Sequence, residues 1–150
     1  MRVSRDKLTK RMEEFRAALK RAGLKITPQR LAVFARLAEE DSHPGARAIH
    51  GKLKKKMPGL SLDTVYRTLW LFVDLGIVEN MGEIDGVRFD ANTEPHHHFI
   101  CRKCGASFDI YCRDFDDLKL PGELSEIGEA MKAMVEVRGI CRKCLSRKRF

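Results

Sequence analysis

The chain has 150 residues, 43% of them hydrophobic, which fits one ordinary domain or two small ones with a buried core and excludes a disordered chain. The N-terminus is charged, and no segment approaches the roughly 18 uncharged apolar residues of a membrane span, so we expect a soluble, cytoplasmic protein without a membrane partner. Without a signal peptide, five cysteines, four of them in two Cys-x-x-Cys pairs, favour metal binding over a secreted disulfide framework.

The net charge of +8 is unevenly distributed. Residues 1–60 contain sixteen Lys and Arg against six Asp and Glu, whereas residues 109–129 contain seven acidic residues against two basic ones. This asymmetry indicates that the first half of the chain binds a polyanion, although a lysine run such as residues 54–56 also fits an ordinary solvated helix surface.

The first half of the sequence predicts four helices. The first has apolar residues at helical spacing and ends at Gly23, and the second begins with a Thr27 cap and Pro28. The third runs from about Gly45 to Met57, before Pro58. The fourth begins at a Ser61 cap and ends at Gly76. Its predicted buried face consists of Leu62, Val65, Leu69 and Phe72.

A hairpin is predicted immediately after these helices. Strands at Ile77–Val78 and Val87–Phe89 flank Asp85–Gly86, a favoured two-residue turn. Helices followed by a hairpin are typical of a winged helix, in which the last helix enters the DNA major groove. A polar face occurs in any three-helix domain, so this signal gains weight only beside the basic charge. The candidate DNA contacts are Thr64, Tyr66, Arg67, Arg30 and Lys25.

The composition changes beyond Asp90 and predicts a second, α+β domain. Strand-like segments occur at residues 97–101, 106–112 and 134–141, with an acidic helix from about Pro121 to Met134. We therefore expect a winged-helix domain at residues 1–87, a hinge at residues 88–95, and a dimerisation and metal-binding domain at residues 96–150.

The paired cysteines predict a structural zinc site. Cys101 and Cys104 form one pair, Cys141 and Cys144 form the other, and 36 residues separate the pairs. Four thiolates suit tetrahedral Zn²⁺, which contributes on the order of 10 kcal/mol to the folding of a small domain. A redox-active dithiol and an iron–sulfur cluster are alternatives with poorer spacing. Cys112 is expected to be a free cysteine.

The histidine run follows strand geometry. In an extended segment His96 and His98 point to one side and His97 to the other, so we expect the first two to belong to a metal site separate from the zinc. The alternative is a solvated histidine run without a metal.

These motifs together resemble the ferric uptake regulator (Fur) superfamily. The resemblance runs from about residue 10 to residue 144 and rests on "ITPQR" at 26–30, "SHP" at 42–44, "TVYRTL" at 64–69, "GIV" at 76–78, "RFD" at 88–90 and "HHHFICRKCG" followed by "FDI". It implies an N-terminal winged helix, a hinge, and a C-terminal α/β dimerisation domain with a four-cysteine zinc. The implied partners are a second copy of the chain and a palindromic double-stranded DNA operator.

The resemblance also implies a regulatory metal site. Its ligands at matching positions are His43, Asp90, His96, His98 and Asp109. Carboxylates and imidazoles in this number suit Fe(II) or Mn(II). The ion then acts as a corepressor, and peroxide reacting with bound Fe(II) oxidises His43 or His96.

Position 109 separates branches of this family. The peroxide regulator (PerR) branch typically has aspartate there and iron sensors typically have glutamate, so Asp109 favours peroxide sensing. The absence of a histidine from residues 130–139 points the same way. Iron sensing is the principal alternative, and zinc, manganese and haem sensors also exist.

Two other classes of function compete with a repressor. Two histidines and a carboxylate can activate oxygen in a non-haem iron enzyme, which requires a small organic substrate. A zinc-stabilised protein-interaction module requires no DNA. The basic first half would go unexplained in the enzyme, and the interaction module predicts no DNA binding at all. We therefore expect neither an enzyme nor an organic substrate.

Overall fold

A computed structural model describes residues 2–83 and 86–147 of the chain. The chain divides into two compact units, Met1–Thr93 and Glu94–Phe150. Within the described ranges, no helix has the length and apolar character needed to cross a membrane.

The first unit contains four helices. They are α1 (Arg5–Arg21), α2 (Pro28–Ala38), α3 (Ala46–Leu53) and α4 (Leu62–Asp74). The predicted caps are confirmed, since the Thr27 hydroxyl accepts the Arg30 N–H at 3.2 Å and the Ser61 hydroxyl accepts the Thr64 N–H at 3.0 Å. These bonds satisfy amide groups that a helix leaves without an internal acceptor.

Helix α3 ends earlier than the sequence predicts. It stops at Leu53, and the Lys56 and Met57 N–H groups both donate to the Leu53 carbonyl in a turn. Pro58 disfavours helical backbone at the residue before it, which explains why the helix does not continue to Met57.

Three phenylalanines form the centre of the first unit. Phe15 of α1 stacks on Phe34 of α2 with ring centroids 4.5 Å apart, and Phe72 of α4 meets both rings edge-on at 5.5 and 5.6 Å. All three are almost fully buried. Edge-to-face and offset-stacked rings add to the free energy of apolar burial, so this trio fixes how three helices pack.

A two-stranded antiparallel hairpin follows α4. Its strands are β1 (Glu79–Glu83) and β2 (Val87–Asp90), paired with Glu79 opposite Asp90. The strand predicted at Ile77–Val78 is wrong, because both residues are buried in the helical core and the Ile77 N–H donates to the Phe72 carbonyl of α4 at 3.1 Å. Asp85, in the predicted turn, lies outside the described residues. Helices followed by this hairpin confirm the winged helix.

The second unit contains a three-stranded sheet. Its strands are β3 (His97–Cys101), β4 (Ser107–Ile110) and β5 (Glu136–Gly139), in the order β4-β3-β5. The central strand β3 is antiparallel to β4 and parallel to β5. Three short helices complete it: α5 (Arg113–Asp116), α6 (Leu124–Ile127) and α7 (Arg142–Ser146). All three strands lie in the segments predicted from sequence.

The predicted helix from Pro121 to Met134 is wrong in extent. Only the single turn α6 is helical, and Gly128 follows it with extended backbone. The apolar residues Ile127 and Met131 are 83% and 88% exposed. A helix gains most of its stability from a buried apolar face, and this segment buries none within its own chain.

We expect Phe72→Ala to lower the free energy of unfolding of the first unit by about 3–5 kcal/mol, because it leaves a cavity between two aromatic rings. Phe72→Leu, which keeps most of the volume, is the matched control and should cost clearly less. Urea unfolding followed by fluorescence of Trp70, the single tryptophan, reports on this unit alone. An equal decrease in the free energy of unfolding in the two variants would show that the aromatic packing is not the stabilising element.

Candidate metal centres and nucleic-acid surface

Four cysteine thiols of the second unit converge on one point. Cys101 ends β3, Cys104 lies in the following turn, and Cys141 and Cys144 lie at the start of α7 and within it. The four sulfur atoms lie within 4.8 Å of one another, and those of Cys104 and Cys141 are 3.8 Å apart. A tetrahedron with Zn–S bonds of about 2.3 Å has edges of about 3.8 Å. The donor set and its spacing therefore fit zinc.

Local backbone hydrogen bonds shape the turn that carries the first cysteine pair, Cys101 and Cys104. The Gly105 N–H donates to the Cys101 carbonyl and the Cys101 N–H donates to the Ala106 carbonyl, both at 2.8 Å. Gly105 has a φ of 71°, which a residue with a side chain rarely adopts. The tight turn places Cys104 beside Cys101.

The thiols of the cluster have unequal acidities. The Cys141 N–H donates to the Cys101 sulfur at 3.3 Å and lowers the pKa of the Cys101 thiol to about 6. Burial raises the pKa of the Cys144 thiol to about 12. A divalent cation must therefore displace protons from thiols such as Cys144 to take all four sulfurs as ligands.

Cys112 lies apart from this cluster. It precedes α5 as the N-cap residue and is half-buried. It is the one cysteine outside the four-thiol group, in agreement with the sequence.

Two histidines and an aspartate meet on the sheet of the second unit. The Nε2 atoms of His96 and His98 are 2.9 Å apart, and Asp109 Oδ1 lies 3.8 and 3.5 Å from them respectively. His98 and Asp109 are directly opposed in the β3–β4 ladder. With metal–nitrogen bonds of about 2.1 Å, two ligands at right angles lie about 3 Å apart. The three side chains fit one face of a metal coordination shell.

The ring of His96 is fixed by the backbone. Its Nδ1 lies 2.6 Å from the Glu94 carbonyl, a contact in which Nδ1–H donates. This tautomer leaves the Nε2 lone pair for a metal, the arrangement usual for histidine ligands.

His97 points away from these ligands, as the alternation along a strand predicts. Its Nδ1 accepts the Val135 N–H at 3.1 Å and its Nε2 lies 2.8 Å from Asp116 Oδ1. The ring also meets Phe115 edge-on. The middle histidine thus links β3 to two other segments of the second unit, a role that the sequence did not indicate.

The first unit holds one histidine and one aspartate in a similar pairing. His43 Nε2 lies 3.3 Å from Asp90 Oδ2, and both side chains are buried. Asp90 Oδ1 accepts the Asn92 N–H at 2.8 Å, which orients the carboxylate. His43 is, among the described residues, the one non-glycine with a positive φ, 52°.

Arg88, the first residue of the "RFD" motif, contacts the loop that carries His43. Its guanidinium donates from Nε to the His43 carbonyl and from Nη2 to the Ser42 carbonyl, both at 2.8 Å. Sequence reasoning missed this contact because 45 residues separate the two partners.

The candidate DNA contacts lie around the start of α4. Thr64 and Arg67 are exposed, Tyr66 is half-buried, and Arg67 pairs with Asp63 at 2.9 Å. Arg30 and Thr64 line the same open cleft of about 280 Å³ between α2 and α4. The Arg30 guanidinium also donates to the carbonyl of Lys25, which places that lysine beside the cleft.

A winged helix joined to a separate unit with a four-thiolate site is the organisation of a metal-containing transcription regulator. A family model described as the Ferric uptake regulator family matches residues 21–127. The chain belongs to this family.

Individual relatives and solved structures are consistent with membership of this family. The chain is 34% identical over 145 residues to the peroxide-responsive repressor PerR of Staphylococcus epidermidis, covering 96% of this chain and 97% of that one. The PerR structure from Streptococcus pyogenes, described as a basis for peroxide sensing, is 26% identical with a TM-score of 0.51, covering 88% and 91%. The Helicobacter pylori ferric uptake regulator superposes with a TM-score of 0.71 over 97% of each chain at 22% identity, which supports the fold alone.

We expect Cys144→Ser to abolish zinc retention, because three thiolates no longer close the tetrahedron. Cys112→Ser, the same change at the cysteine outside the cluster, should leave one zinc per chain. Metal analysis after gel filtration, with circular dichroism for the state of the second unit, measures both. Zinc loss in the Cys112 variant would place the metal elsewhere.

Proposed function

We propose that this protein is a metal-dependent transcriptional repressor that binds a palindromic DNA operator as a homodimer and senses peroxide. Zn²⁺ on Cys101, Cys104, Cys141 and Cys144 is its structural metal. Fe(II) or Mn(II) is its regulatory metal, bound by His43, Asp90, His96, His98 and Asp109. The observation that carries the proposal is the pair of ligand sets, which together offer three imidazoles and two carboxylates, in a chain whose curated relatives are peroxide-responsive repressors.

The chemistry of the two ligand sets supports Fe(II) or Mn(II). His43 and Asp90 offer one nitrogen and one carboxylate, too few for any stable site. His96, His98 and Asp109 offer two nitrogens and one carboxylate. Together they supply three imidazoles and two carboxylates, a harder and more numerous set than zinc usually takes.

The proposed switch follows from ligands in both units. We infer that the hinge expected at residues 88–95, between a winged helix at 1–87 and a dimerisation domain at 96–150, lies in the part of this segment beyond Asp90, because strand β2 of the winged helix ends there. A metal that needs both sets binds best to the conformation that completes its coordination. Binding therefore selects that conformation, and DNA that prefers it raises metal affinity by the same factor.

The distribution of exposed apolar side chains supports a homodimer formed by the second unit. Among the described residues the first unit exposes two large apolar side chains, Ile26 and Trp70, and the second exposes nine. The nine are Phe108, Tyr111, Leu118, Leu120, Ile127, Met131, Met134, Val137 and Leu145. So many apolar side chains in a unit of this size are typical of an interface. A dimer places two winged helices on half-sites about one helical turn, roughly 34 Å, apart.

We propose that peroxide oxidises a histidine ligand of the regulatory metal. Fe(II), if held by these ligands, would activate hydrogen peroxide for cleavage of its O–O bond. One peroxide oxygen leaves as water and the other is added to a ring carbon of His43 or His96, so the imidazole is oxidised by two electrons. The nitrogen beside the new carbonyl is amide-like and is a poor ligand. Each site reacts once, which distinguishes a sensor from an enzyme.

Asp109 favours peroxide sensing over iron sensing. Its Oδ1 lies near the Nε2 atoms of His96 and His98, so this side chain is placed to bind the same metal as the two histidines. An aspartate is the residue typical of the peroxide branch that the sequence resembles.

We expect Arg67→Ala to weaken operator binding by about 1–3 kcal/mol, because the side chain is 81% exposed on the outward face of α4. Arg102→Ala removes the same charge from the second unit and serves as the control. Fluorescence anisotropy with a palindromic promoter fragment at several salt concentrations separates phosphate contacts, which change the salt dependence, from base contacts. Equal effects of the two variants would exclude α4 as the recognition helix.

We expect a small dose of peroxide to add one oxygen atom to His43 or His96 and to release DNA when Fe(II) is bound. Mn(II) should support DNA binding without this oxidation. The measurement is peptide mass spectrometry of anaerobically loaded protein, with operator binding followed in parallel. Unaltered histidines and persistent DNA binding in the Fe(II) sample would favour iron sensing.

A further inference from the structure

Arg88 donates hydrogen bonds to the backbone on both sides of His43. Its Nε donates to the His43 carbonyl and its Nη2 to the Ser42 carbonyl, each at 2.8 Å. The Ser42 carbonyl belongs to the peptide plane before the Cα of His43, and the His43 carbonyl belongs to the plane after it. Each peptide unit is planar, so the rotation between these two planes is set by φ and ψ of His43 alone. One rigid, planar guanidinium therefore fixes both angles.

That fixation is needed because His43 has an unfavourable backbone conformation. Its φ of 52° lies in the left-handed region, which a residue with a β-carbon avoids unless its surroundings determine it. The direction of the imidazole depends on this conformation. A relaxed loop would point His43 Nε2 away from Asp90.

The same strand holds the rest of this loop. The Phe89 N–H donates to the Pro44 carbonyl at 3.2 Å, and Gly45 forms an isolated antiparallel bridge with Arg88. A β-carbon on Gly45 would lie 3.1 Å from the Val87 carbonyl oxygen, so the approach leaves little room for a side chain. The loop of residues 42–45 is thus docked on β2 along its length.

Strand β2 also supplies the second ligand of this set. Asp90 lies two residues after Arg88, and side chains at this spacing leave a strand on the same side. Arg88 thereby ties the loop that presents His43 to the strand that presents Asp90. The 3.3 Å separation of the two ligand atoms depends on that tie.

We propose that Arg88 is a positioning residue of the regulatory metal site, which prepares His43 and Asp90 for the metal by fixing the backbone of His43. The inference rests on the proposed function of that site. It assigns to Arg88 neither a bond to the metal nor a contact with DNA. Its expected effect is on metal affinity, because a loop that is free to relax must be ordered again when the metal binds.

The test uses the zinc-loaded full chain and Mn(II) alone as the probe. Electron paramagnetic resonance of free Mn(II) gives the affinity, and anisotropy with an operator fragment gives DNA binding as a function of Mn(II). We expect Arg88→Gln to weaken Mn(II) binding about 10- to 100-fold. At saturating Mn(II), its operator affinity should return to that of the unmodified protein. Arg88→Lys keeps the charge but cannot bridge both carbonyls. Its Mn(II) affinity should lie between those of the unmodified protein and the Arg88→Gln variant.

Two variants make the result specific. Arg36→Gln removes another largely buried arginine of the first unit, one that pairs with Glu39 and Glu40, and should leave Mn(II) affinity unchanged. His43→Ala removes a proposed ligand and should lower Mn(II) affinity further than Arg88→Gln.

The outcomes separate the inference from the proposed function. If His43→Ala leaves Mn(II) affinity unchanged, the proposed regulatory site is wrong. If His43→Ala weakens binding and Arg88→Gln does not, the site stands and the role of Arg88 is overturned. Operator affinity that stays low at saturating Mn(II) in the Arg88→Gln variant would also overturn it, since Arg88 would then act in folding or on DNA.

Discussion

The second unit depends on the four cysteine thiols for a core. Its buried apolar cluster consists of Cys101, Cys141 and Cys144, with Phe99, Ala106 and Ile140 packed against them. So small a cluster supplies little hydrophobic free energy, and a bound cation adds to it. Cys101 is also the last residue of β3, the strand in which His98 lies opposite Asp109 of β4. The proposed metal ligands His98 and Asp109 thus lie on strands that flank the four-cysteine cluster.

The first unit follows a different principle. Three fully buried phenylalanines and the helices that carry them form an apolar core that needs no metal. Specific hydrogen bonds also hold the place where β2 meets the loop of residues 42–45. There a buried histidine and aspartate lie beside each other at the edge of a well-packed body, which is how proteins hold ligands whose geometry matters.

Sequence reasoning succeeded where the signal was local. The caps at Thr27 and Ser61, the alternation of His96, His97 and His98, and the pairing of the cysteines each depend on residues within a few positions of one another. It failed where the outcome depends on distant partners. The helix predicted at residues 121–134 has the right composition but no surface to pack against within its chain, and the Arg88 contact joins segments 45 residues apart. The ligand set itself came from resemblance, since no spacing rule links position 43 to position 109.

The unequal construction of the two units has a consequence for how the protein matures in the cell. The winged helix is encoded first, and its contacts are made largely within its own helices, so it is able to fold while the rest of the chain is still being synthesised. The second unit exposes apolar side chains such as Ile127 and Met131, so we expect it to become stable after it binds zinc and pairs with a second copy. We therefore expect a newly made molecule to pass through a stage in which the winged helix is folded and the second unit is not yet stable. We expect zinc supply and the concentration of other copies to set how long that stage lasts.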